Sequence, residues 1–148
     1  MANAGSKLLA VGAALSAQAA LLHLACLWGG APMFRLMGAG ERMAQSYEAG
    51  HWYPRVVTLA IAGVLSVWSL YAFAGAGLIR KLPLQRSALC AITGVYIVRG
   101  IAFVPLMAYF PGNSVAFWVI SSSICLLIGG VHGVGLRQSW ARLSGGVA

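Results

Sequence analysis

Four apolar runs, each long enough to cross a lipid bilayer, constrain this chain more than any other feature. About 20 apolar residues span a hydrocarbon core roughly 30 Å thick. The runs cover residues 8–28, 56–79, 88–110 and 114–136. Since 60% of the residues are hydrophobic and only 8% are charged, the chain lacks the polar side chains that a soluble globule needs at its surface. We therefore expect a membrane protein.

Helices are the expected form of these runs, because a backbone N–H or C=O group in lipid must be satisfied within its own segment. None of the runs shows the alternating pattern of a barrel strand. The sequence thus predicts an all-α membrane protein, a four-transmembrane-helix bundle that forms one domain over residues 1–148. The longest connection, residues 29–55, is predicted to be an external loop that carries a short amphipathic helix.

The first run has features of a cleavable signal peptide. Lys7 precedes it, and Ala17-Gln18-Ala19 is a small-residue pattern of the kind found at cleavage sites. The apolar character continues to Trp28, well beyond that pattern, which favours a retained helix. Whether the pattern is ever cleaved stays open.

The charge distribution predicts how the helices are oriented. The formal net charge is +8, but the cations lie mostly at the ends of the runs, so we expect the lipid bilayer and not nucleic acid as the partner. One set of ends carries six cations and no acid: Lys7, Arg80, Lys81, Arg86, Arg137 and Arg142. The opposite ends carry three cations and the only two acids: Arg35, Arg42, Arg55, Glu41 and Glu48. The positive-inside rule then places both termini in the cytoplasm.

One arginine stands apart from these end groups. Arg99 lies near the middle of the third run, where a charged side chain costs about 2.5–3.5 kcal/mol on insertion scales. By the helical rise, Gln18 of the first run reaches the same depth, and Tyr96 precedes Arg99 by about one turn. We expect Arg99 to face a polar cavity inside the bundle, lined by Tyr96 and level with Gln18.

The external loop holds the counter-charges. Residues 41–49 are bracketed by glycines and place Glu41 and Glu48 on one face of the predicted short helix. No acid lies within an apolar run, so an ion pair of Arg99 with one of these glutamates is the expected solution. The sequence leaves open which glutamate pairs. It also leaves open two other roles for Arg99, a pocket for an anionic or amphipathic small molecule and contact with lipid phosphate.

The histidines and cysteines predict neither a metal site nor a cofactor. By the helical rise, His23 and His132 lie roughly 8 Å and roughly 10 Å on opposite sides of the midplane, too far apart to share one iron. His51 lies in the external loop and joins the candidate ligand site with Arg99 and the two glutamates. The three cysteines occur singly in three different runs.

Small residues and one proline predict how the helices pack. Gly129 and Gly133 form a G-x-x-x-G pattern, which lets helices approach closely within one chain or between copies. A homo-oligomer through these two glycines is therefore one expectation. Pro105, near the outer end of the third run, predicts a kink.

Four short stretches carry a resemblance: Gly38-Ala-Gly-Glu-Arg-Met43, Leu82-Pro-Leu84, Tyr96-Ile-Val-Arg-Gly100 and Ser122-Ser-Ile-Cys125. Together they resemble an uncharacterised family of small bacterial inner-membrane proteins with four predicted transmembrane spans. The resemblance covers most of the chain from Gly30 onward. It implies the four-span architecture and a bacterial inner (cytoplasmic) membrane, but no activity and no site residues.

Three functions follow from these observations. The leading interpretation is a non-enzymatic binding or partner module, whose polar cavity at Arg99 is covered by the 29–55 loop and takes a small anionic or amphipathic ligand. The second is a small oligomeric transporter or channel subunit, with Arg99 and the two glutamates in its path. The third is a lipid-modifying enzyme that uses Glu41, Glu48 or His51 as an acid or base. The sequence names neither a ligand nor a reaction.

Overall fold

Helices make up all the regular structure of the described residues, which are 4–110 and 112–144 of the predicted domain 1–148. The computed structural model contains six of them there: α1 (Ala4–Leu36), α2 (Glu41–Glu48), α3 (Tyr53–Ala76), α4 (Gln85–Ile101), α5 (Phe103–Tyr109) and α6 (Val115–Ser144). The all-α class is thereby confirmed. Three helices, α1, α3 and α6, are long and apolar enough to cross a membrane, and a fourth span results if the bent pair of α4 and α5 is counted as one.

The long helices pack side by side with α1 and α6 at the centre. Helix α1 packs against α3 and α6, and α6 packs against α4. A Cβ atom on Gly5 would meet Ser139, and one on Gly75 would meet Leu89. The starts of α1 and α4 therefore lie at the same end of the molecule as the ends of α3 and α6. We call this end, which carries the six cations listed above, the basic end, and the opposite end, which carries α2, the loop end.

Helix α1 is broken near the loop end. Gly30 has φ +63° and ψ −157°, a conformation that favours glycine, and Pro32 has no N–H to offer the carbonyl of Trp28. The predicted span 8–28 ends just before this break. The residues beyond the break pack with α2, where Phe34 lies against the ring of Tyr47 at 5.0 Å between centroids.

Helix α2 confirms the short helix predicted between residues 41 and 49. Its apolar face buries Ala44, which forms a cluster with Phe34 and two other buried residues of α1, and Met43 and Tyr47 pack against this cluster. The Tyr47 hydroxyl also donates a hydrogen bond of 2.7 Å to the carbonyl of Leu27, close to the break in α1. The loop is thus fixed to α1 by both apolar and polar contacts.

The third predicted run, residues 88–110, forms two helices instead of one. Helices α4 and α5 meet at Ala102 and are bent by 70° relative to one another. Pro105 explains the position of the bend, because a proline ring clashes with the carbonyl four residues earlier, here Ile101, and has no N–H to bond it. The sequence placed the kink at Pro105, whereas the helix breaks one turn before it.

Candidate functional site

Arg35, and not Arg99, binds the two glutamates. Its Nε and Nη2 atoms donate to the two carboxylate oxygens of Glu41 at 2.9 and 2.8 Å, and Nη1 donates to Glu48 at 3.1 Å. The predicted ion pair of Arg99 with Glu41 or Glu48 is therefore wrong. All three side chains of this cluster are exposed.

A tight turn explains why Arg35 is the partner. Gly38 and Gly40 have φ +71° and +89°, and the N–H of Ala39 bonds the carbonyl of Phe34 at 3.0 Å. This reversal returns Glu41 to Arg35, six residues earlier, and closing so short a loop costs little entropy. Hydrogen bonds from Arg35 hold the pKa of Glu41 below its usual value. In the sequence, Gly38 and Gly40 between Arg35 and Glu41 were the feature that could have predicted this ion pair.

Arg99 lies half-buried against α6. Its guanidinium carbon is 5.3 Å from the centroid of the Trp118 ring, and this tryptophan is only 2% exposed. The Nη1 atom of Arg99 is buried and has no hydrogen-bond partner among the described residues, and the same holds for the hydroxyl of Ser122. Ser122 lies one turn after Trp118 and one turn before Leu126, which contacts Gly100. Two unsatisfied polar groups thus occur along the packed face between α4 and α6.

Aromatic rings connect this arginine to the loop. Phe110 and Phe117 pack on Trp118 with centroid separations of 6.3 and 5.6 Å. Gly38 leaves room for the Phe117 ring, because a Cβ atom at this glycine would overlap it. Asn113 adds a hydrogen bond of 3.0 Å to the carbonyl of Gly38. The turn between α1 and α2 therefore packs on the aromatic group that lies under Arg99.

Tyr96 belongs to a separate polar cluster. Its hydroxyl lies 3.0 Å from that of Ser16, and its ring packs on Trp68 and His132 at centroid separations of 5.2 and 5.6 Å. It therefore packs against α1, α3 and α6 instead of sharing a cavity with Arg99.

His132 is the residue of this cluster whose placement the sequence did not predict. It is fully buried; its Nδ1 donates to the carbonyl of Ile128 at 2.9 Å, and its Nε2 has no partner among the described residues. Gly12 leaves the space that the imidazole fills. Gly12 and Ser16, one turn apart on the first run, indicate in the sequence a place where another helix can approach. Their spacing alone does not identify His132 of α6 as the residue that fills it.

The remaining predicted site residues lie outside both clusters. The side chain of Gln18 is exposed, while the neighbouring Ser16 and Ala20 are buried. The prediction that Gln18 shares a polar layer with Arg99 inside the bundle is therefore wrong, because Gln18 lies on the exposed face of α1. His51 is exposed in the connection between α2 and α3.

The G-x-x-x-G pattern is used within the chain. Gly129 lies against Tyr96 and Ile97, and Gly133 lies against Thr93, so both glycines let α6 approach α4. A homo-oligomer through Gly129 and Gly133 stays a prediction, and it would have to use the part of these positions that α4 leaves uncovered.

No cluster of three or more His, Cys, Asp or Glu side chains able to hold a metal ion occurs in the part of the chain that the structure describes. Comparisons with protein-family models, with curated proteins and with solved structures gave no match to this chain.

Proposed function

We propose that this chain is a membrane module that binds the anionic group of a small amphipathic molecule at Arg99. The observation that carries the proposal is the buried Nη1 atom of Arg99, which no group among the described residues satisfies. The chain has only two acidic side chains, Glu41 and Glu48, and Arg35 binds both. We infer that the counter-charge for Arg99 comes from another molecule, because a cation partly withdrawn from water costs free energy without one.

The surroundings of Arg99 favour a carboxylate or phosphate. A guanidinium presents a planar fork of N–H donors that matches both groups, and the Trp118 ring lies within cation–π distance of it. The Ser122 hydroxyl supplies a further unsatisfied donor on the same face of α6. Apolar side chains at the bend, Ile101 and Val104, are exposed and suit an apolar tail. An amphipathic anion combines these two chemistries.

We further propose how the chain is oriented in the membrane. With α4 and α5 counted as one span, the chain crosses the bilayer four times, and the greater number of cations at the basic end supports cytoplasmic termini. The resemblance to small four-span proteins supports a bacterial inner membrane. Arg99 then binds its ligand toward the outer side, beneath the loop.

Oleate is a suitable probe, because it joins one carboxylate to an apolar chain. We expect the full chain, in nanodiscs of phosphatidylcholine, to bind oleate, and Arg99→Gln to weaken binding by about tenfold to a hundredfold, since a hydrogen bond to a charged group contributes about 1.5–3 kcal/mol. Arg99→Lys keeps the charge but loses the fork and should give an intermediate value. The binding is measured by titration calorimetry.

Arg42→Gln is the matched control for this experiment. It removes one positive charge from an exposed arginine at the same end of the molecule. Equal weakening by Arg42→Gln and Arg99→Gln would reduce the effect to general electrostatic attraction and contradict the proposed site. Unchanged oleate binding in Arg99→Gln would contradict it directly.

A small transporter or channel subunit is the second candidate function, and the 70° bend between α4 and α5 favours it. Broken spans in transporters place polar backbone beside a substrate path near the middle of the bilayer. If this function is correct, single cysteines introduced along α4, in a background without Cys26, Cys90 and Cys125, are labelled from both faces. A binding module is labelled from the loop end only.

A further inference from the structure

A second arginine–tryptophan pair lies at the basic end. The guanidinium carbon of Arg86, in the first turn of α4, is 3.7 Å from the centroid of the Trp140 ring of α6. The Nε atom of Arg86 is buried without a hydrogen-bond partner among the described residues. This contact holds the guanidinium beside α6, and the hydrogen-bonding capacity of the guanidinium is not fully used.

A groove on α6 lies beside this pair. It has a volume of about 330 Å³ and is lined by Gly133, Leu136, Arg137 and Trp140. Since each helical residue adds 1.5 Å, Gly133 lies about 10 Å deeper in the bundle than Trp140. The groove is therefore apolar at its deep end and carries a cation and an indole at its shallow end. A phospholipid has the same order, with acyl chains deep and a phosphate above them.

No acidic side chain of the chain lies at this end of the molecule. The two acids of the chain are both at the loop end, where Arg35 holds them. Arg142 is used within the fold, since it donates a hydrogen bond of 2.5 Å to the carbonyl of Gly75 at the end of α3. Arg137, in contrast, is exposed at the groove. A membrane-surface arginine attracts anionic lipid at about 1 kcal/mol per cation.

We propose that an anionic phospholipid occupies this groove, with its phosphate between Arg86 and Arg137 and an acyl chain along Leu136 toward Gly133. The site is independent of Arg99, which lies toward the loop end of α4. Charge complementarity selects an anionic over a zwitterionic lipid, because two cations meet one headgroup. The aromatic ring of Trp140 is suited to the headgroup level of a bilayer.

Native mass spectrometry of the full chain tests the proposal. The protein is purified in mild detergent with equal amounts of phosphatidylglycerol and phosphatidylcholine, and the lipid that each protein copy retains is identified. We expect retention of phosphatidylglycerol, and about a fivefold weaker retention in Arg137→Gln, which corresponds to the loss of one cation. Arg137→Lys should restore most of it. Because Arg137 is exposed, the substitution leaves the packing of α6 intact.

Arg80→Gln is the matched control, since it removes an exposed cation from the same end but not from the groove. Equal losses from Arg80→Gln and Arg137→Gln would overturn the proposal in favour of diffuse attraction. Displacement of the lipid by glycerol 3-phosphate at equal concentration would show a phosphate site instead of a lipid site. A dimer that Arg137→Gln dissociates would assign the groove to a second copy of the chain.

The Arg99→Gln variant should retain phosphatidylglycerol as the wild type does. Failure of the lipid site is therefore distinguishable from failure of the proposed site at Arg99.

Discussion

Arg35 and Arg99 both lie toward the loop end, yet their environments are opposite. Arg35 is exposed and binds two carboxylates, whereas Arg99 is half-buried and its guanidinium lies against a tryptophan ring. Arg35, which is exposed and needs a counter-charge less than Arg99 does, binds both carboxylates of the chain. The difference shows that chain proximity decided the pairing, because a short glycine turn brings Glu41 to Arg35 at little entropic cost.

The largest expected effect comes from Gly38, which lies between the two arginines. Gly38→Ala should lower the free energy of unfolding by about 1–3 kcal/mol more than Gly50→Ala, because its Cβ atom would overlap the Phe117 ring. Both glycines have a positive φ, +71° and +77°, and a Cβ atom on Gly50 meets nothing within 4 Å. Comparison of the two variants therefore separates the cost of the clash with Phe117 from the cost of placing alanine at a positive φ. Equal losses in chemical denaturation would show that the turn does not pack on the aromatic group.

Removal of the buried charge should have the next largest effect. Arg99→Met should raise the free energy of unfolding in ligand-free detergent by about 1 kcal/mol, since it removes the cost of a partly buried charge without a counter-ion. The lost contact with Trp118 offsets part of this gain. Chemical denaturation of the two proteins measures the difference. Destabilisation by Arg99→Met would mean that the charge is already satisfied within the fold.

Removal of the exposed charge at Arg35 should destabilise the loop, whereas removal of the charge at Arg99 should stabilise the fold. Arg35→Met leaves Glu41 and Glu48 without their cation, so the loop should be cleaved faster by limited proteolysis. The triple variant Arg35→Met, Glu41→Gln, Glu48→Gln removes the repulsion and should return the rate toward that of the wild type. If the single and triple variants are cleaved at the same rate, repulsion between the carboxylates plays no part.

The smallest expected effect is a dependence on pH. The folded pKa of Glu41 is lowered by Arg35, so the ion pair contributes stability above the unfolded pKa, about 4.3, and loses it as the pH falls through the folded value. Melting temperatures between pH 6 and pH 3 should therefore fall more steeply in the wild type than in Arg35→Gln. Parallel curves would show that Arg35 does not shift this carboxyl group.

The sequence predicted the helices better than it predicted the contacts between them. The runs at 56–79 and 114–136 correspond to α3 and α6, and bracketing glycines located α2, because span length and turn chemistry are local properties. The two errors at Gln18 and Arg99 concern which face of a helix is buried and which partner is near. In lipid, exposed and buried faces are both apolar, so hydrophobic periodicity could not identify the buried face of α1.

The bend at Ala102 also makes the two sides of the molecule unequal in length. Helix α4 has 17 residues and spans about 25 Å, whereas α3 has 24 residues and spans about 36 Å. A hydrocarbon core is roughly 30 Å thick, so α3 is longer than the core and α4 is shorter. If α4 crosses the core without α5, the lipids beside it would have to compress or the molecule would have to tilt. In that case a thinner bilayer would match α4 better, and a thicker bilayer would match α3 better.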